Sequence, residues 1–163
     1  MSNGDQLEIV LWTLLATALG SVIGAEREFR GHEAGIRTSG LVAGAAAIFG
    51  LVSTQYGAEG RVAAGVVQGI GFLGAGLILR RRSSVAGVTT AASVWLVAGI
   101  GLLVAAELWL TATLLTAAYV VLLELGGVSD WVYLKGRQLR AKKKPLRDPP
   151  ERDLREPEGD RYP

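Results

Sequence analysis

The residues best suited to chemistry in this 163-residue chain form one dense group of charges. Glu26, Arg27 and Glu28 end a long apolar stretch, where an ionised carboxylate next to hydrocarbon needs a partner. In one interpretation the carboxylates pair with nearby arginines and hold helix ends together. In the other they bind a divalent cation such as Mg²⁺ or relay a proton. We favour ion pairing, because the arginines already neutralise the carboxylates. The whole candidate cluster is Glu26, Arg27, Glu28, Arg37, Arg80 and Arg81.

The composition excludes several kinds of active site. There are no cysteines and a single histidine, His32, so thiolate chemistry and multi-histidine metal sites within one chain are excluded. No Ser/His/Asp set, HExxH motif or phosphate-binding glycine loop is present. We therefore predict a protein that is not an enzyme and has no cofactor, and we assign no metal ligands.

Glycines are concentrated between residues 65 and 76. Gly69-Ile-Gly71-Phe-Leu-Gly74 matches the dinucleotide-binding pattern G-x-G-x-x-G, but that site needs a preceding strand and an acidic residue about 20 positions later. Close packing of membrane helices explains the glycines better, with Gln68 as an interhelical hydrogen-bond partner. A broken helix lining a cavity is the alternative. The predicted packing glycines are Gly65, Gly69, Gly71, Gly74 and Gly76.

The elements that position these residues are apolar stretches. A helix crossing a bilayer needs roughly 20 apolar residues. Five stretches have about this length, contain no proline and carry no Lys or Arg inside. We predict an all-α, polytopic membrane protein whose helices are residues 7–25, 38–56, 62–79, 89–105 and 108–125.

The distribution of basic residues predicts the orientation. Arg61 would face one side of the membrane, and the other 16 of the 17 Lys and Arg residues the opposite side. Basic residues favour the cytoplasm. The sequence thus predicts a membrane protein with its N-terminus outside and its C-terminus in the cytoplasm.

A faint internal repeat is visible. Residues 34–42 resemble residues 86–94, and each segment begins a predicted helix after a basic connection. Two parallel two-helix units plus a fifth helix would explain the likeness, and chance similarity is the alternative. In the repeat hypothesis Thr38 and Thr90 are N-caps of neighbouring helices whose N-termini favour an anionic group.

The chain divides into a membrane domain, residues 1–125, and a basic, proline-rich tail, residues 126–163. The tail includes Arg140-Ala-Lys-Lys-Lys144 beside the last helix, a pattern that attracts anionic lipid. Its beginning is predicted to lie at the membrane interface and its proline-rich remainder to be disordered. We expect no nucleic-acid partner.

Four ordered motifs resemble one known family. Gly24-Ala-Glu-Arg-Glu28, Ala34-Gly-Ile-Arg-Thr38, residues 61–76 and Gly87-Val-Thr-Thr90 through Trp95 look like the MgtC/SapB family of bacterial inner-membrane proteins. The resemblance implies five transmembrane segments and a role in magnesium limitation and acid stress. It also implies a short form, because the tail is too short and proline-rich for the ACT-like C-terminal domain of the virulence members.

Two functional hypotheses follow. The preferred one is a non-enzymatic factor in magnesium or envelope-stress homeostasis that binds membrane protein partners. The other is a small transporter or channel for Mg²⁺ or protons, assembled as a homo-oligomer, with Glu26, Glu28 and Gln68 along the path.

Overall fold

Five α-helices in series make up most of the described chain. The computed structural model describes residues 3–81 and 84–125, and the side chains of residues 79–85 lie outside that description. Each predicted span is a helix, and the all-helical fold class is confirmed. In chain order the helices are α1 (Asn3–Phe29), α2 (Ile36–Thr54), α3 (Glu59–Leu77), α4 (Val88–Ala105) and α5 (Trp109–Glu124).

The helices follow from long apolar runs that no proline interrupts. Helices α1 to α4 are each long and apolar enough to cross a membrane. Helix α5 has 16 residues, which at about 1.5 Å per residue gives roughly 24 Å. It still returns to the end of the bundle where α1 finishes, because Glu124 contacts Arg30. The five helices therefore alternate in direction.

The core lies where α1, α2 and α4 meet. Half of the apolar window of α4 is buried, compared with 11% of that of α3. The buried residues are mostly small or β-branched, as expected for membrane helices that gain no hydrophobic drive from lipid. The central cluster includes Ala16, Ile23, Ala43, Ala47, Val97, Ile100 and Val104.

Two glycines allow α1 and α4 to approach α2 closely. A methyl group added at Gly20 of α1 would lie 2.6 Å from the Ser39 carbonyl oxygen of α2. One added at Gly101 of α4 would meet the Ala43 carbonyl oxygen. Backbone atoms of α2 thus occupy the space that a side chain would need.

The prediction that the glycines of α3 pack closely against other helices is wrong within the described chain. Ile70 and Gly74 are the buried residues of α3. At Gly74 an added methyl group would make an ordinary contact of 3.7 Å. At the other four predicted packing glycines it would meet nothing within 4 Å. Glycine spacing predicts a helix that could pack closely, but it does not say which of its faces has a neighbour. The glycines without such a contact are Gly65, Gly69, Gly71 and Gly76.

A short hairpin that the sequence analysis does not predict connects α3 to α4. Strand β1 (Leu79–Arg81) pairs antiparallel with β2 (Ser84–Ala86). Gly87 follows with a φ of +85°, and a side chain there would meet the Leu77 carbonyl oxygen. Glycine is therefore the residue that fits this junction.

The predicted N-caps at Thr38 and Thr90 are wrong. Helix α2 starts after Gly35 and α4 starts after Gly87, so both threonines lie in the third helical position. Neither helix has a side-chain bond from its N-cap residue. The two similar segments do begin helices at equivalent positions.

The predicted tail, residues 126–163, lies outside the described residues.

We predict that Gly101→Ala destabilises the protein by about 1–3 kcal/mol, because the added methyl group forces α4 away from α2. The measurement is thermal or denaturant unfolding in detergent micelles. Gly71→Ala is the matched control, since its surroundings are open and alanine favours helix by up to about 1 kcal/mol. Equal destabilisation by both substitutions would contradict this account of the core.

Candidate functional site

The alternating helices bring five helix ends together at one end of the bundle. The last residues of α1, α3 and α5 lie there, with the first residues of α2 and α4. We call this the charged end, because Glu26, Arg27 and Arg30 of the α1 terminus meet there with Glu124 of α5. The cluster ties the terminus of the first helix to the others.

Glu26 is buried and paired with arginine. Its side chain is 4% exposed, and the Arg30 Nε atom lies 2.8 Å from its Oε1 atom. The two residues are one helical turn apart, a spacing that places their side chains on the same face. A buried carboxylate with a close positive partner is far less costly than an isolated one.

Arg30 also connects α1 to α5. Its Nη2 atom forms an ion pair with the Glu124 carboxylate and donates to the Glu124 carbonyl oxygen at 3.3 Å. Because Glu124 ends α5, this contact places a positive charge at a helix C-terminus, where it is favourable. Arg30 therefore bridges two carboxylates that are far apart in sequence.

Arg27 connects α1 to α4 from a buried position. Its Nη2 atom donates a hydrogen bond of 3.1 Å to the Thr90 hydroxyl group. Its Nη1 atom lies 4.0 Å from Glu26 Oε2. Among the described residues, its Nε atom and both Glu26 carboxylate oxygens lack a hydrogen bond of good geometry. Glu26 thus lies close to two arginines, and both positive charges offset its negative charge.

Glu28 has a different role from Glu26. Its carboxylate accepts a 2.9 Å hydrogen bond from the backbone N–H of Ile36, the first residue of α2. An anionic acceptor at a helix N-terminus satisfies a free donor and favours the helix dipole. A side chain on Gly35 would occupy the space of this carboxylate, so the glycine makes the contact sterically possible.

The structure brings together only part of the predicted cluster. Arg37 is exposed, and no ion pair to it is found in residues 3–81 and 84–125. The side chains of Arg80 and Arg81 lie outside the described residues. Gln68 is exposed in the middle of α3, away from the charged end.

Two residues of the charged end, Arg30 and Glu124, are absent from the predicted cluster. The spacing of Glu26 and Arg30 is a signal that predicts their pairing, since charges four residues apart on a helix are neighbours. Glu124 has a weaker signal, an acidic residue ending an apolar stretch. Nothing local indicates that it meets α1.

The arrangement is closed rather than open to a ligand. Its three carboxylates already contact an arginine or a backbone N–H. In the part of the chain that the structure describes, no three His, Asp or Glu residues are grouped so that they could hold a metal ion. What the geometry can do is join helices and present a neutralised, polar end.

Comparison with known proteins establishes the relationship. The sequence profile of the MgtC family matches residues 13–129. The chain belongs to the MgtC family. With four helices long and apolar enough to cross a bilayer, this family member is a multi-pass membrane protein. The resemblance noted from the four motifs is confirmed.

Named relatives show how far the likeness extends. Protein MgtC of Salmonella typhimurium strain 14028s is 52% identical over 96 residues, which cover 58% of this chain and 42% of that relative. Protein SrpB of Synechococcus elongatus is 41% identical over 128 residues, or 67% of this chain and 69% of the relative. An uncharacterised Haemophilus influenzae protein is 37% identical over 154 residues.

The aligned region covers less than half of the Salmonella relatives. No solved structure matches this MgtC-family chain.

We predict that Glu26→Gln lowers stability by about 3–5 kcal/mol, because it leaves the buried Arg27 without an anion and removes one of the two carboxylates that Arg30 contacts. Glu124→Gln, at an exposed carboxylate, should cost less than about 1 kcal/mol. Thermal unfolding in detergent compares the two variants. A second substitution, Arg30→Gln in the Glu26→Gln background, should restore part of the loss. A Glu26→Gln protein as stable as the wild type would refute the ion-pair role.

Proposed function

We propose that this protein is a non-enzymatic factor of the bacterial inner membrane that supports growth when magnesium is scarce or the envelope is stressed. It acts by binding other membrane proteins. Its relationship to proteins named MgtC supports the physiological setting. The closed charge cluster supports the mode of action.

The main support for the proposal is that the carboxylates at the charged end already contact an arginine or a backbone N–H. Glu26 lies against Arg30 and Arg27, and Glu28 is bonded to the α2 N-terminus. A cation would have to displace these arginines and would still find few ligands. The same contacts fix the helix ends relative to one another, and a fixed surface is what a docking partner needs.

The positions of Gln68 and Glu26 favour docking over transport. Gln68 is on the exposed face of α3, whereas Glu26 is buried at the end of α1. The three polar residues assigned to a path therefore do not line one cavity within a single described chain. We keep docking to membrane proteins as the proposed activity.

The charged end is proposed to face the cytoplasm. Arg27, Arg30 and Arg37 lie at this end, while Arg61 begins α3 at the other. The basic tail would continue from α5 on the same side, where anionic lipid would attract it. The N-terminus of α1 would then be outside.

We expect a strain lacking the protein to grow poorly in magnesium-depleted medium and to recover when the wild-type chain is expressed. Purified protein in liposomes should carry no Mg²⁺ or proton flux above empty vesicles, because the carboxylates of the described charged end are already paired. Growth curves and fluorescent ion indicators are the measurements. Normal growth of the deletion strain would overturn the physiological proposal, and flux above background would overturn the docking role.

The orientation can be tested with single cysteines, because the natural chain has none. Gln55→Cys, at the end of α2, should react in intact cells made permeable only at the outer membrane with a maleimide that cannot cross the inner membrane. His32→Cys, in the connection at the charged end, should react only after the inner membrane is opened. The reverse pattern would place the charged end outside.

A further inference from the structure

Helix α3 presents a face that no other part of the described chain covers. Its buried side, with Ile70 and Gly74, is turned towards α4. On the opposite side Gly65, Gln68 and Phe72 follow one another at intervals of three and four residues, so they share one face of the helix. All three are exposed, Phe72 to 82%. We call this surface the α3 outer face.

Gln68 is the polar residue of this face, and lipid cannot form hydrogen bonds with its amide. It is the tenth of the 19 residues of α3, at the middle of a helix that crosses the membrane. Within the described residues its amide makes no hydrogen bond. Hydrocarbon offers neither donor nor acceptor, so an amide at this depth favours a contact with another polar group.

The neighbouring glycine gives a second helix room to reach that amide. A methyl group added at Gly65 would meet nothing within 4 Å. Small residues beside a polar side chain let helix backbones approach until hydrogen bonds can form between them. Gly65 therefore brings a partner helix close at the position next to the amide.

We propose that the α3 outer face is a homodimer interface, in which α3 of a second copy packs parallel to it around a two-fold axis along the membrane normal. Copies inserted with one orientation have parallel α3 helices, so the axis sets Gln68 against Gln68 and Phe72 against Phe72.

A carboxamide is self-complementary, because its N–H donates while its oxygen accepts. A single polar residue in an apolar helix seam sets register and oligomer state in this way.

The uncharged amide of Gln68 favours a second copy of this chain as the partner of the α3 outer face. A charged partner residue would bring an uncompensated charge to the membrane centre, whereas a second amide satisfies Gln68 without one. The exposed Phe72 rings meet in the same pair, where aromatic side chains pack favourably. The proposal concerns α3 alone and stands apart from the growth phenotype and from the charged end.

Disulfide crosslinking in native membranes tests the geometry, because the chain has no cysteine of its own. Gly65→Cys and Phe72→Cys should form dimers of twice the chain mass upon oxidation. Ala63→Cys and Val67→Cys, also on α3 but on the same side of the helix as the buried Ile70, should crosslink much less. Equal crosslinking at all four positions, or adducts of another mass, would overturn the proposal.

The energetic test compares substitutions on the full-length protein reconstituted in lipid vesicles. Gln68→Leu should weaken dimerisation about three- to tenfold, as expected for one interhelical hydrogen bond in a membrane, and Gln68→Asn should retain most of it. Gly65→Leu should abolish the dimer, whereas Gly99→Leu, also in open space but on α4, should not. Single-molecule photobleaching counts the subunits.

Because both glycines are open in a single copy, both leucine variants should unfold at temperatures near that of the wild type. Monomeric wild-type protein, or a dimer insensitive to Gly65→Leu and Gln68→Leu, would refute the interface.

Discussion

The architecture depends on the close approach of α2 to α1 on one side and α4 on another. Lipid surrounds these helices with groups as apolar as their own side chains, so burial alone does not hold them together. Contact between backbones does, and it requires positions such as Gly20 and Gly101 where no side chain intervenes. The spacing of α1 from α4 in turn sets whether Arg27 can reach Thr90. The polar contacts at the charged end are therefore a consequence of apolar packing in the centre.

The charged end follows a different rule from the core. Burying any one of its charged groups alone would cost free energy, and contacts with opposite charges on other helices offset that cost. Arg30 serves two carboxylates, and Glu26 lies beside two arginines. Such sharing makes the cluster cooperative, because removing one member leaves the others unmatched.

The number, order and approximate bounds of the helices could be predicted from sequence, since long apolar runs without proline have few alternatives in a membrane. The position of the charge cluster could be predicted as well, because Glu26 and Glu28 end such a run. The pairing of Arg30 with Glu124 could not, since it joins residues 94 positions apart in sequence. The open surroundings of Gly65 and Gly69 could not be predicted either. Their spacing resembles that of Gly20 and Gly24, and only the neighbouring helix distinguishes a packed glycine from an exposed one.

The junction between α1 and α2 also bears on how the protein is made. Six residues separate the two helices, and Glu28 and Gly35 meet across that connection. Closing so short a loop costs little chain entropy, whereas α4 must wait for a further helix and hairpin before it can join. As the chain leaves the ribosome, α1 and α2 are complete first and already carry their mutual contacts. This helical hairpin is thus the unit best suited to enter the bilayer together, and α4 then docks onto a surface that is already assembled.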